Sequence, residues 1–416
     1  MDRRSFTATV LGVAASPLVP RIARSADPLR IGLGMAQTGP LAANGKSALL
    51  AMDIWRDEVN AKGGVLGRPV EFVIYDDQSS PSTVPGIYTK LLDVDKVDLV
   101  VSGYGTNVIA PAMPVIIQHN RTFLSLFGLA VNSQFHYPKY FTITPTGQNG
   151  PIASTIGFFE VGAAQNPPPK TLAIVAADAE YPKTSAEGVR TNAKKFGWDV
   201  VYDKTYPPNT TDFSPIVRAV QATNPDAVFV ASYPLDSVGM VRAANEVGLK
   251  TKLFGGGMVG LQTTSVKQQL GPLLNGIVNY DFWIPAKTMQ FPGVLDFLNK
   301  YQTKAASAGV DPLGYYLAPW AYTYMQVLAA TVEGVKALDQ DKMADYLRTT
   351  TFKTVMGDIA FGEDGELAEP RDLMVQYQHV VGNDLDQFKD GKNPIILYPA
   401  KYKDGDALYP YDSAKT

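Results

Sequence analysis

The chain has 416 residues, 37 basic against 40 acidic for a net charge of -3, and no cysteine. That balance offers no basic face to a nucleic-acid backbone, and the missing thiols exclude disulfides, thiol catalysis and a lipid-anchoring cysteine. The length exceeds one ordinary core and predicts two domains.

In chain order, residues 1–26 read as an export signal. Arg3 and Arg4 form a charged start resembling a twin-arginine signal, Phe6 to Val19 is a short, weakly apolar run, and Ala23-Arg24-Ser25 fits a small-x-small cleavage site. That run is too short to span a bilayer, and no later segment approaches a span. The mature protein is therefore expected to be periplasmic, with the signal cut near Ser25 or Ala26 and no direct membrane insertion.

From residue 29 onward, strand-like and helix-like runs alternate. LRIGLGM, VEFVIYDD, DLVVSG and TFLSL read as buried strands of a parallel sheet. Ala48, Met52, Trp55 and Val59 recur at helical spacing, and Gly63-Gly64 predicts a left-handed stop. From about residue 140 the alternation restarts. TLAIVAAD, a helix over 185–196, WDVVYDK, a helix near Phe213, AVFVASY, a helix over 236–247 and KLFGGG form the second series. The last third adds GIVNYDFW as a strand, helices over 294–308, 317–335 and 343–348, and strands over 357–361 and 374–377. The fold expected is α/β, with two doubly wound lobes and a chain that crosses between them more than once. No long Gly/Ser or charged linker separates them.

The loop TGPLAANGKS, residues 38–47, ends like a phosphate cradle. A P-loop places four residues between its first glycine and Gly-Lys, whereas here five separate Gly39 from Gly45, and Pro40 removes a backbone donor. Upstream, Gly32 and Gly34 lack the third glycine of a dinucleotide fingerprint. Neither motif supports a nucleotide. There is no G-x-S-x-G elbow and no H-E-x-x-H, and His119, His136 and His379 stand far apart in sequence. Asp76 and Asp77 are adjacent in an extended strand, so they point to opposite faces and cannot share an acid–base or metal role. The expectation is a protein that is not an enzyme and needs no cofactor or metal.

In doubly wound sheets, ligands bind beyond the carboxyl ends of strands. The loops there carry hydroxyls and backbone N–H groups at Thr106 and Asn107, which suit a carboxylate, and rings at Tyr104, Phe127, Tyr181 and Tyr233, which suit an apolar body. Helix capping by Thr106 or Asn107, and ordinary packing of the rings, are the competing structural roles.

IGLGMAQTGPLAANG, NAKGGVLGRPVEFVIYDDQSSP, the loop from Gly103 to Pro111, DAEYPKTSAEGVR and AANEVGLKTKLFGG together resemble the periplasmic solute-binding proteins of branched-chain amino-acid and amide ABC importers. The resemblance spans nearly the whole mature chain. It implies two lobes joined by three hinge strands: residues 29–146 with 281–355, and 147–280 with 356–416. It implies a small-molecule ligand, membrane permease subunits as partners, no nucleic acid, and a monomer.

It also implies site residues. Gly105, Thr106 and Asn107 match the carboxylate-holding turn, while Ser125, Phe127 and Gly128 match its companion loop. Tyr181 and Tyr233 match second-lobe tyrosines, and Asn44 falls where relatives place an aromatic ring. Amino-acid binders of this type carry an acid just after the strand KLFGGG to pair with the ligand's ammonium. Here Gly257 and Met258 stand in that loop, with Asp178 or Glu180 nearby as substitutes. Without such a counter-charge, an ammonium costs several kcal/mol to bury. The expected ligand is a carboxylate or amide without an α-ammonium, and Phe282 or Trp283 near the hinge would help to line its site. Leucine, isoleucine or valine is the alternative ligand, and a periplasmic sensor the alternative role.

Overall fold

The computed structural model describes residues 27–415, so the export-signal reading of residues 1–26 lies outside it. The first sheet contains β1 (Leu29–Met35), β2 (Val70–Asp76), β3 (Leu99–Tyr104), β4 (Phe123–Leu126) and β5 (Tyr140–Thr142). Its order is β2-β1-β3-β4-β5, parallel throughout. The second starts with β6 (Thr171–Ala177), β7 (Asp199–Tyr206), β8 (Ala227–Ser232), β9 (Leu253–Met258) and β10 (Val278–Asp281). A separate hairpin follows, β11 (Phe352–Thr354) and β12 (Gly357–Ile359). Last come β13 (Leu373–Gln376) and β14 (Ile395–Tyr398), which join the second sheet as antiparallel strands beside β10. Its order is β14-β13-β10-β9-β8-β6-β7.

Strands β3, β4, β6 and β8 are buried almost end to end, as strands covered on both faces must be. The helix Ala42–Ala61 buries Ala48, Ala51, Met52 and Trp55 on one face and packs with helices Val294–Ala308 and Ala318–Val335. The late helices thus return to the first sheet, while helices Gly150–Ala163 and Glu180–Phe196 pack together against the second.

Both sheets reverse their winding at one place. In the first, β1 is flanked by β2 and β3; in the second, β6 is flanked by β7 and β8. At such switch points the loops diverge and leave a crevice at the carboxyl ends of the strands. The loop after β1 is held by Asp76, whose carboxylate accepts from the N–H of Gln37 at 2.9 Å and the hydroxyl of Thr38 at 2.7 Å. Asp77 turns inward instead, accepts from the Ser79 N–H, and is pushed up to about 6 by burial. Gly45 is required by packing. A Cβ there would lie 1.9 Å from the Ala36 carbonyl oxygen, while Lys46 is exposed. The phosphate-like spelling of this loop reflects a helix start pressed onto a strand end.

The chain passes between the sheets after β5, after β10 and after β12. The first and third crossings are tied together, because the N–H groups of Arg371 and Asp372 both donate to the Pro145 carbonyl. Residues after the hairpin still belong beside the first sheet. Phe361 packs on Phe141, with centroids 5.3 Å apart, and Thr142 N–H donates to Gly365 O. A lobe boundary at 355/356 would therefore cut the hairpin and strand this segment.

Asp372 is almost fully buried at this junction, and its Oδ2 has no hydrogen-bond partner. Burial pushes its carboxyl up to about 8. A folded-state value above the usual carboxylate value of about 4 means the neutral form stabilises the fold below that pH. The contribution is lost progressively as pH rises through about 8. Asp372→Asn, which stays neutral, should raise Tm relative to the wild type at pH 8.5 and give little difference at pH 4.5, as read by calorimetry at both pH values.

Candidate functional site

The crevice encloses a cavity built from both sheets and from the crossings. From the first sheet come Leu41, Tyr104, Gly105, Thr106, Phe127 and Leu129. Gly105, at φ 99°, turns the chain out of β3 into the short helix Thr106–Ile109. From the second come Tyr181, Ser185, Tyr233, Gly257 and Val259, and from the first crossing and the helix after it Thr144, Thr146 and Ser154. Tyr280 and Phe282 flank the end of β10, and Tyr316 precedes the helix Ala318–Val335. The space open to the centre of a water-sized sphere is ≈ 50 Å³. None of these lining residues carries a charge.

Rings form most of the wall. Phe282 and Tyr316 stack with an interplanar angle of 14° and centroids 5.7 Å apart. Phe127 meets Phe282 edge-on at 4.7 Å and Tyr104 at 6.0 Å. Opposite them, Tyr181 and Tyr233 lie 6.0 Å apart. Burial pushes the phenols of Tyr104, Tyr181, Tyr233, Tyr280 and Tyr316 above their ordinary value, so all five keep their protons and act as donors.

The polar groups lean the same way. Thr106 Oγ1 accepts from Leu129 N–H at 3.0 Å, which leaves its own proton for the cavity. Thr146 Oγ1 is buried without a partner. The Gly257 carbonyl receives the Tyr181 hydroxyl at 3.1 Å. The polar groups of the cavity wall are neutral hydroxyls, with no charged group among them.

Of the residues picked from sequence, Tyr104, Gly105, Thr106, Phe127, Tyr181, Tyr233 and Gly257 line this cavity. Asn107 stands at its mouth. Its Oδ1 accepts from the Tyr233 hydroxyl at 2.5 Å and the Tyr181 N–H at 3.3 Å, joining the two sides. Neither Thr106 nor Asn107 caps its own helix. The other four lie elsewhere. Asn44 is buried in the first helical turn and faces a separate crevice with Ser47, Asp311 and Gly314; Leu41, three residues earlier, takes the place at the cavity. Ser125 Oγ is spent on Tyr140, and Gly128 N–H points to Thr142 at 3.4 Å. Met258 is locked by backbone bonds to Asn279 in both directions.

The triple glycine after Phe254 is explained by packing more than by ligand width. A Cβ at Gly255 would lie 1.8 Å from Val278 O, and one at Gly256 would lie 2.4 Å from the Phe229 ring. Only Gly257 reaches the cavity, where the Tyr181 hydroxyl fills the space it leaves. Phe282 lines the cavity, whereas Trp283 turns away and donates to Met289 O. Asp178 and Glu180 occupy an outer groove that shares only Leu41 and Tyr233 with the cavity, and Asp178 pairs with Lys183 at 3.1 Å. Neither acid therefore stands on the cavity wall.

Sequence reading missed Tyr280, Tyr316, Thr144 and Thr146, which sit on crossings or before a late helix rather than on strand-to-helix loops. The hydroxyl-rich run Thr142-Ile-Thr-Pro-Thr146 at the end of the first series was the available signal. Among the described residues, no group of His, Asp and Glu is arranged to hold a metal ion, and no helix is long and apolar enough to cross a membrane.

A family model described as "Periplasmic binding protein" matches residues 28–378. The leucine-, isoleucine-, valine-, threonine- and alanine-binding protein of Pseudomonas aeruginosa is 25% identical over 349 residues, covering 82% of this chain and 88% of its own. Among solved structures, a leucine binding protein from Thermotoga maritima superposes with a TM-score of 0.72 at 18% identity, over 85% of this chain and 96% of that one. A Rhodopseudomonas palustris solute-binding protein of an ABC transporter, in complex with p-hydroxybenzoic acid, gives 0.74 at 18% identity, over 92% of this chain and 98% of that one. These structural likenesses establish the bilobed α/β fold.

The Asn107 bridge makes a prediction. Asn107→Ala leaves the Tyr233 hydroxyl without its acceptor, at a cost of about 1 kcal/mol. The lobes should part more readily, giving a larger radius of gyration in small-angle scattering of the ligand-free protein.

Proposed function

The chain belongs to the periplasmic binding protein family, and from that premise we propose that it captures a small aromatic carboxylate lacking an ammonium group and hands it to the membrane permease of an ABC importer. The family is extracytoplasmic and non-catalytic, and it serves importers with permease and ATPase subunits. The observation that carries the ligand class is the charge-free cavity walled by rings and lined with hydroxyls. A carboxylate is an acceptor only, so it matches the free protons of Thr106 and Thr146. An amino acid would bring, besides its carboxylate, an ammonium buried with no carboxylate beside it, at a further cost of several kcal/mol. The room is also small.

In this reading the turn Gly105-Thr106 takes the carboxylate, and Phe127, Phe282 and Tyr316 flank the ring. Tyr181, Tyr233 and Gly257 close over it from the second lobe, with Asn107 fastening the mouth. The lobes comprise residues 29–146 with 281–367, and 147–280 with 368–415, and the chain acts as a monomer. Ligand shifts a hinge equilibrium through contacts made only when both lobes touch it. The R. palustris neighbour bound to p-hydroxybenzoic acid supports this ligand class. The competing reading, a branched-chain amino acid, is favoured by the P. aeruginosa relative.

A thermal-shift screen separates the two. Benzoate-type acids at a hundredfold excess over Kd should stabilise the protein by about 2.7 kcal/mol, a rise of several degrees in Tm. Leucine, isoleucine and valine should leave Tm where it was. A rise with leucine and none with aromatic acids would overturn the proposal.

A further inference from the structure

We propose that the hydroxyls of Tyr104, Tyr280 and Tyr316 form a specificity subsite that reads a ring hydroxyl on the ligand, so that hydroxylated aromatic acids are selected over unsubstituted ones. This rests on the aromatic-carboxylate reading and extends it.

Tyr316 Oη contacts Tyr104 Oη at 3.1 Å and Tyr280 Oη at 3.1 Å, and either atom of each pair can donate. Three phenols bring three protons, but two contacts use at most two of them. Tyr181, the next hydroxyl along, commits its own proton to Gly257 O, and Tyr233 commits its proton to Asn107. The third proton can go to Tyr181 Oη, which accepts from Tyr280 after giving its own proton away, so the hydroxyls form a chain along the cavity wall. Both contacts are also longer than the 2.7–2.8 Å typical of O–H···O bonds, so the trio stands slightly spread.

A carboxylate can accept from this chain but offers no proton in return. A ligand hydroxyl does both: it accepts from one phenol and donates to the lone pairs of another, which completes the chain. The rings around the trio fix its geometry. Tyr316 is stacked on Phe282, Tyr104 meets Phe127 edge-on, and Tyr280 packs on Phe282 with centroids 5.1 Å apart. Tyr104 ends a strand of the first sheet and Tyr280 lies in the second. The subsite is therefore complete only when both lobes are together.

The test is titration calorimetry of the full mature chain with benzoate and with 4-, 3- and 2-hydroxybenzoate. The wild type should bind one hydroxylated isomer about tenfold more tightly than benzoate, the worth of one well-made hydrogen bond. Tyr316→Phe keeps the stacked ring and removes the central oxygen, so the ratio should fall below about threefold. Tyr280→Phe should act in the same direction and serves if the first variant folds poorly, as judged by its ligand-free Tm. Equal affinity of the wild type for benzoate and every isomer would overturn the inference and leave the proposed function standing. An equal loss for benzoate and hydroxybenzoate in both variants would also overturn it, because it would mark the tyrosines as structural only. If no aromatic acid binds, the proposed function falls and this subsite falls with it.

Discussion

The cleft contains a buried space that must hold a ligand without any charge of its own. With no lysine, arginine, aspartate or glutamate on its wall, recognition is left to ring faces, shape and neutral hydrogen bonds. The fold arranges for this. Two sheets turn their switch points toward one crevice, and the crossings that join them supply Thr144, Thr146, Tyr280 and Phe282 to the same space. The crossings therefore form part of the cavity wall as well as connecting the lobes. Their own polar residues are arranged accordingly, with Arg371 and Asp372 fastened to Pro145 beside the cavity wall.

Much of the architecture was legible in the sequence because two-sided burial writes continuous apolar runs. LRIGLGM and TLAIVAA coincide with β1 and β6, and the helices over 294–308 and near 318–335 appear where their periodicity places them. Short elements escaped. Strand β5 has three residues and β14 four, too few for either period to register. The helix Gly150–Ala163 is apolar nearly all round and offers no polar face to reveal it. Of the hairpin β11–β12 only the second arm was read, within the strand over 357–361, because β11 has three residues and only its pairing shows the turn at Val355-Met356.

The cavity was legible where topology dictates it and illegible where tertiary packing does. Tyr104, Thr106, Tyr181 and Tyr233 follow strand ends, and the rule for doubly wound sheets finds them. Tyr316 belongs to a loop more than two hundred residues from Tyr104, and no local pattern brings the two hydroxyls together. Asn44 and Leu41 differ by less than one helical turn, yet one faces the ligand space and the other a side crevice. Position along a helix settles such a choice only once the helix axis is known.

The bridge from Asn107 to Tyr181 and Tyr233 is made entirely of protein atoms. Any energy it contributes to closure is the same whichever molecule lies inside. It tightens the grip on every occupant in equal proportion and cannot tell one from another. The rim contribution is thus common to every occupant, and any discrimination between occupants falls to the rings and hydroxyls within. The two properties sit on different residues, so evolution can tune how strongly this protein holds its cargo without redefining what the cargo is.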